Sequence, residues 1–273
     1  MIRVELVKLA RRPRTWLTLL LLNLIPTVVA ILLGVTDIAP RPGEGPAFLS
    51  AVLANGALFA VAALAIVLPL FLPIAVAVIA GDSVSGEAQS GTLRYLLTRP
   101  VSRSRLLVAK LVAVVVFTVV AVVLVAGVGY VVGRLALGND PATAFNSITS
   151  VSGTALTTLQ LTERILLAMA YVALSMLGVG ALAFFLSTVT DSPLSATLGA
   201  LAFLIGSSVL LTLDAARSIQ PYLPTRYWLS FIDLFRDPIL WRDVERGALL
   251  QLVYVAVFLG AAWANFATKD IKT

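Results

Sequence analysis

Glu87 stands four residues before the triplet Gly91, Thr92, Leu93, and Leu96, Leu97, Arg99, Pro100 and Arg103 follow closely. In this spacing they suit docking. Leu93, Leu96 and Leu97 fall at i, i+3 and i+4, which gives a helix of about two turns one apolar face. Ser90 or Thr92 can cap its start, and Pro100 forces a stop. Arg94 and Arg99 would supply charged contacts at the rim of that face. So short a helix is marginal alone, and exposed leucines call for a partner that covers them. The competing reading is a solvated basic loop whose leucines only touch the membrane interface. Across residues 82–110, Arg94, Arg99, Arg103, Arg105 and Lys110 stand against Asp82 and Glu87 alone.

The rest of the composition says what this stretch is attached to. The 273 residues contain no cysteine and no histidine, which excludes disulfides, thiol nucleophiles and imidazole catalysis. Charged residues make up 12% of the chain, half the share of about 25% in soluble domains. Mean hydropathy is +0.99, so lipid is the solvent for most of the chain. The net charge of +6 is then read as basic loops facing the cytoplasm, not as a nucleic-acid footprint.

A membrane helix needs about 20 apolar residues. Uncharged runs of that length occur at 15–36, 45–81, 111–133, 165–190, 192–213 and 247–268. In the second run a helix is expected over 56–80, kinked by Pro69 and Pro73. The third helix is expected to begin near Leu106, with Lys110 snorkelling to the interface. Basic excess falls at the N-terminus, at the loop after the second span and at the C-terminus. An even number of spans puts all three on one side, so both termini are expected in the cytoplasm. The first span is too long for a cleaved signal peptide and five more follow, so it is expected to remain.

Three further segments have two readings each. Residues 1–14 place Ile2, Leu6 and Leu9 on one stripe, with Arg3, Lys8, Arg11 and Arg12 polar and Pro13 as a stop. Either this is a flat interfacial helix, its basic side chains on lipid phosphates and Trp16 at the interface, or it is a basic tail that sets orientation. Residues 214–247 hold Pro221, Pro224, Pro238 and the spaced aromatics Trp228, Phe231 and Phe235. They read as short helices at the outer boundary or as an ordinary aromatic belt. Asn23, Asn55 and Tyr130 are polar groups for a pathway or for bonds between helices, and Gly127, Gly129, Gly133, Gly178 and Gly180 are read as permitting close helix packing. Away from their ends the spans hold no Asp, Glu, Lys or Arg, and no Walker A pattern is present. Energy for any transport would come from outside the chain.

Glu87, Gly91-Thr92-Leu93, Leu97, Arg99-Pro100-Val101-Ser102-Arg103 and Lys110 together resemble the loop signature of ABC-2 type transporter permeases. Glu5-Leu6, Lys8 and Arg11 before the first span resemble that family's start. The resemblance implies an all-α integral membrane protein with a single permease domain over 1–273 and six transmembrane helices in the plasma membrane. It also implies an N-terminal amphipathic interfacial helix, a cytoplasmic coupling helix within the loop 82–105, and short outer re-entrant helices over 214–247. The coupling residues it implies are Glu87, Gly91, Thr92, Leu93, Arg94, Leu96, Leu97, Arg99, Pro100 and Arg103. The implied partners are two copies of a cytoplasmic ATPase subunit, a second permease (identical or not) and membrane lipids, with no nucleic acid. ATP and Mg would be held by the ATPase; the chain itself would be no enzyme and bind no cofactor. An uncharged bundle suits an apolar or amphipathic cargo, such as a lipid, drug or natural product. The rivals are a secondary transporter or channel, and a scaffold that recruits a soluble protein through its basic loop.

Overall fold

Pro13 lacks an amide hydrogen and has a preset φ, so it fits the first position of a helix, where that donor would be unused. In the computed structural model, which describes residues 1–36, 56–91, 102–137, 148–149 and 155–268, Pro13 opens a helix rather than merely closing one. Helix α1 spans Ile2–Arg11, and α2 follows at once over Pro13–Thr36. The corner between them is held by Trp16, whose Nε1 donates to the Ala10 carbonyl at 2.7 Å.

The second span is broken, not kinked. A 3-10 turn at Gly56–Leu58 leads into α3 (Phe59–Val67), the chain turns through 68–70, and α4 runs from Phe71 to Gln89. Two prolines cause the break. Pro69 cannot donate to Ala65, and Pro73 cannot donate to Pro69, so two rungs of a continuous helix are missing. Pro73 is accommodated because it falls in the first turn of α4. The far end differs from expectation as well. Residues 82–89, read from sequence as loop, are helical, and α4 ends only at Gln89, with Ser90 as its cap and Gly91 in the left-handed region at φ 70°.

Helix α5 covers Arg103–Ala136, with the Ser102 hydroxyl accepting from the Arg105 amide as its cap. Two-residue strands β1 (Ile148–Thr149) and β2 (Ala155–Leu156) pair antiparallel before α6 (Thr158–Val189), which Thr157 and Gln160 open with a capping box. Helix α7 is Pro193–Thr212 and α8 is Trp241–Thr268. Six helices, α2, α4, α5, α6, α7 and α8, are long and apolar enough to cross a membrane, and the chain is a multi-pass membrane protein. With 34 and 32 residues, α5 and α6 extend about 50 Å. That exceeds the roughly 30 Å of hydrocarbon, so both project beyond it.

Helices α3, α4, α5 and α6 hold the core. Two-thirds (67%) of the apolar window of α4 is buried, against 17% for α8. Of the small residues expected to bring helices close, Gly129 abuts Ala63 and Ala60 of α3, Gly133 abuts Gly56 and Phe59, Gly178 abuts Gln251, and Gly180 abuts Val76 and Val114. At Gly127 an added Cβ would meet nothing among the described residues, so no helix approaches closely there, which corrects its assignment.

Residues 213–240 fold back as 3-10 turns at Asp214–Ala216, Gln220–Tyr222 and Trp228–Phe235. The aromatic belt reading fails for Trp228, Phe231 and Phe235, which are buried in the core. Such irregular backbone needs donors from elsewhere. Tyr171 Oη donates to Tyr227 O at 2.6 Å, Gln251 Nε2 to Pro224 O at 2.7 Å, and Arg164 Nη1 to Arg236 O at 2.9 Å.

Candidate functional site

The end of the bundle where α1 lies also gathers the start of α5 and the end of α8. Arg103 Nη1 donates to Ala267 O at 3.1 Å, and Trp263 Nε1 to Ser104 Oγ at 3.1 Å. Beneath α1 at this end, four charged side chains close a ring. Glu5 and Lys8, one turn apart on α1, are joined at 3.1 Å. Lys8 Nζ reaches Glu87 Oε1 of α4 at 2.9 Å, and Lys110 Nζ of α5 reaches Glu87 Oε2 at 2.7 Å. Lys110 returns to Glu5 Oε2 at 3.5 Å. Charges alternate around the ring and sum to zero. Beside it, Asp82 of α4 takes both Arg12 and Arg14, the latter at 3.2 Å. A cavity of about 40 Å³ lies between, walled partly by Glu5, Lys8, Ser83 and Lys110, which is room for a water molecule.

Three features of the chain build this ring. The α1 helix presents Glu5 and Lys8 on one face because three residues is about one turn. The α4 helix continues past its apolar stretch, so Glu87 still points from a regular helix. Lys110 lies seven residues inside α5, about 10 Å from its start, where neighbouring helices cover it. Its side chain is 2% exposed. It does not snorkel to the interface, and this corrects the expectation. The α4 end is also fixed to α6: Ser187 Oγ accepts from the amides of Val84 (3.1 Å) and Ser85 (2.9 Å).

Several expected positions change accordingly. Glu87 is 6% exposed and held by two lysines, so it presents no free carboxylate on the surface of a loop. Lys8 and Arg12 face carboxylates of α4 instead of lipid phosphates, while Arg3 and Arg11 remain exposed on α1. Gly91 ends α4, and Arg103 joins α5 to the end of α8. Thr92, Leu93, Arg94, Leu96, Leu97, Arg99 and Pro100 lie outside the described residues. Asn23 bonds within its own helix, to Leu19 O; Asn55 lies outside the described residues. Sequence reasoning passed over Gln251, Tyr171 and Arg164, although a lone glutamine inside the apolar run 247–268 was a usable signal.

Partial burial pulls the Lys8 ammonium down, but Glu87 and then Glu5 outweigh it, so its pKa lies above the ordinary 10.5. A raised lysine pKa gives stability that is complete below the unfolded value and is lost as pH climbs through the folded one. Amide exchange in α1, corrected for its intrinsic pH dependence, is therefore expected to stay level from pH 6 to about 10 and to accelerate above that. Loss of protection already at neutral pH would show that Lys8 does not hold α1 down.

Residues 45–272 match the family model described as Protein of unknown function (DUF2705), and the chain belongs to that family. No curated protein matches the chain.

Proposed function

We propose that this member of the DUF2705 family is the membrane-spanning permease subunit of an ATP-driven ABC-2 type transporter. The observation that carries the reading is the charged ring directly ahead of residues 92–101. Glu87 joins α1, α4 and α5 through Lys8 and Lys110, so a push on the chain just beyond Gly91 reaches three helices at once. In this reading the Leu93, Leu96, Leu97 face meets a cytoplasmic ATPase subunit, which supplies ATP, Mg and hydrolysis. Glu87 acts by transmitting the displacement inward, not by touching the ATPase.

Energy from outside suits the spans. Among the described residues, Asp, Glu, Lys and Arg occur toward helix ends and none sits mid-span, where proton-coupled transporters keep them. The chain works as a dimer with two ATPase subunits and exports an apolar or amphipathic cargo. Both termini lie in the cytoplasm of a plasma-membrane protein, as the basic excess at that end favours.

Leu93→Asp or Leu97→Asp is expected to cut copurification of the ATPase at least tenfold, with membrane insertion and yield unchanged. Copurification at the wild-type level would overturn the assignment of the coupling face. Cargo-stimulated ATP turnover in the reconstituted complex separates a transporter from a scaffold that only recruits its partner.

A further inference from the structure

The helical period gives α1 two faces. Glu5, Lys8 and Arg12, at i, i+3 and i+7, turn inward to the charged ring and to Asp82. Arg3, Val7 and Arg11, at i, i+4 and i+8, lie on the opposite side with Val4 beside them, and all four are exposed. The inward cations are paired and the outward ones are not. Among the described residues no carboxylate or hydrogen-bond acceptor meets the side chain of Arg3 or Arg11. Arg105, exposed in the first turn of α5, has a guanidinium equally without a partner there.

Two open hollows border this outer face. One, of about 540 Å³, runs along α1 from Arg3 to Pro13. The other, of about 580 Å³, lies between α1 and α5 and is lined by Ile2, Arg3, Ser104, Arg105 and Val108, with Met1 at its edge. Arg3 stands in both, and no Asp or Glu borders either. Their level in the membrane follows from the helices that leave them. Pro13 opens the spanning helix α2, and α5 runs from Val108 into its own uncharged stretch. Trp16 in the first turn of α2 is 60% exposed, the placing of a ring at the headgroup boundary. Val108, itself half exposed, lies one turn, about 4.5 Å, further along α5 than Arg105. Polarity thus falls from guanidinium to apolar side chain in the direction of the hydrocarbon.

We propose that the hollow between α1 and α5 holds one anionic phospholipid, its phosphate between Arg3 and Arg105 and its acyl region on Ile2 and Val108. Guanidinium groups suit phosphate because they donate two parallel hydrogen bonds and keep their charge at any physiological pH. Apolar contact and attraction to anionic headgroups add together at such a surface. A zwitterionic lipid brings its own cation to a lining that has no acid to receive it, so the site selects for net negative charge. Arg11, on the same face, adds to the field. In the orientation proposed above, this leaflet is the one whose surface is negative. The site needs only the multi-pass membrane character of the chain and does not depend on ATP-driven export.

The test is native mass spectrometry of the full chain released from nanodiscs of equal parts phosphatidylglycerol and phosphatidylcholine. The wild type is expected to retain one phosphatidylglycerol, preferred over phosphatidylcholine by about twentyfold. Arg3→Gln and Arg105→Gln are each expected to lower that preference about fivefold, the effect of one basic side chain at an anionic surface, and the double variant to bring it near parity. Both side chains are exposed and partnerless, so the fold is not at stake. Arg217→Gln removes an arginine that is 83% exposed in the folded-back segment and is expected to change nothing, which separates a site from net charge. Parity in the wild type, or a preference that survives the double variant, would overturn the proposal. So would displacement of the lipid by millimolar glycerophosphate, because the site would then take a free phosphate. A double variant that lost the ATPase on copurification while keeping its lipid preference would give the face to a soluble protein and overturn it too.

Discussion

Lys110→Met is expected to destabilise the protein by about 3–5 kcal/mol, while Lys110→Met combined with Glu87→Met costs far less. The single change leaves Glu5 and Glu87 around one ammonium, that of Lys8, whose side chain is 39% exposed. Lys110 is 2% exposed, so bulk water does not replace it, and the Glu87 carboxylate keeps most of its desolvation cost without its shorter partner. Removing both members leaves Glu5 and Lys8, a neutral pair one helical turn apart. The measurement is the midpoint of thermal unfolding in nanodiscs, followed by the fraction that remains monodisperse. Equal losses in the single and double variants would show that the four charges do not act as a set. The double variant also probes function. With the fold retained, α1 no longer ion-paired to α5 and tied to α4 only through Arg12 and Asp82, the proposed permease role predicts that ATP turnover by the partner stops responding to cargo.

The second large effect is expected at Gly129. A Cβ there would lie 2.7 Å from Ala63 Cβ, 3.2 Å from Ala60 Cα and 3.3 Å from Phe59 O. None of these atoms can swing aside, since each is backbone or attached directly to it. Gly129→Leu must therefore push α3 away from α5. Overpacking of this kind costs about 1–3 kcal/mol and occasionally more, and Gly133 on the next turn is equally confined against Gly56 and Phe59. The control is two residues away. Gly127 faces open space, so Gly127→Leu is expected to be neutral or to raise the melting midpoint slightly through better helix propensity. Similar losses at both positions would show that α3 does not pack against α5 as closely as described.

Five of the six spans were legible because each contains a long uncharged run, and length against bilayer thickness is a strong constraint. The Glu87 end of α4 was not. Asp82 and Glu87 looked like loop residues because a carboxylate at the end of an apolar run usually meets water. Their partners, Lys8 and Lys110, come from other helices, and no local pattern announces a pairing across so much chain. The prolines at 69 and 73 were visible as a disturbance. Whether they bend or break the helix depends on whether the chain can restart, and Pro73 in the first turn of α4 lets it. Trp228, Phe231 and Phe235 had the spacing of an interfacial belt, yet tertiary hydrogen bonds from Tyr171, Gln251 and Arg164 satisfy the turns around them and draw the segment into the core. Those three donors serve backbone carbonyls, which have no sequence identity to recognise.

Helix α4 has a mechanical consequence that follows from how unevenly its ends are tied. Its Glu87 end is bonded to α1, α5 and α6, whereas its Phe71 end meets α3 only through three non-helical residues. A regular helix of 19 residues behaves as a stiff rod of about 27 Å. A 10° swing of such a rod about one end carries the other through about 5 Å. Any such swing would fall on the non-helical residues at 68–70, an expansion joint that would let α3 keep its seat against Gly129.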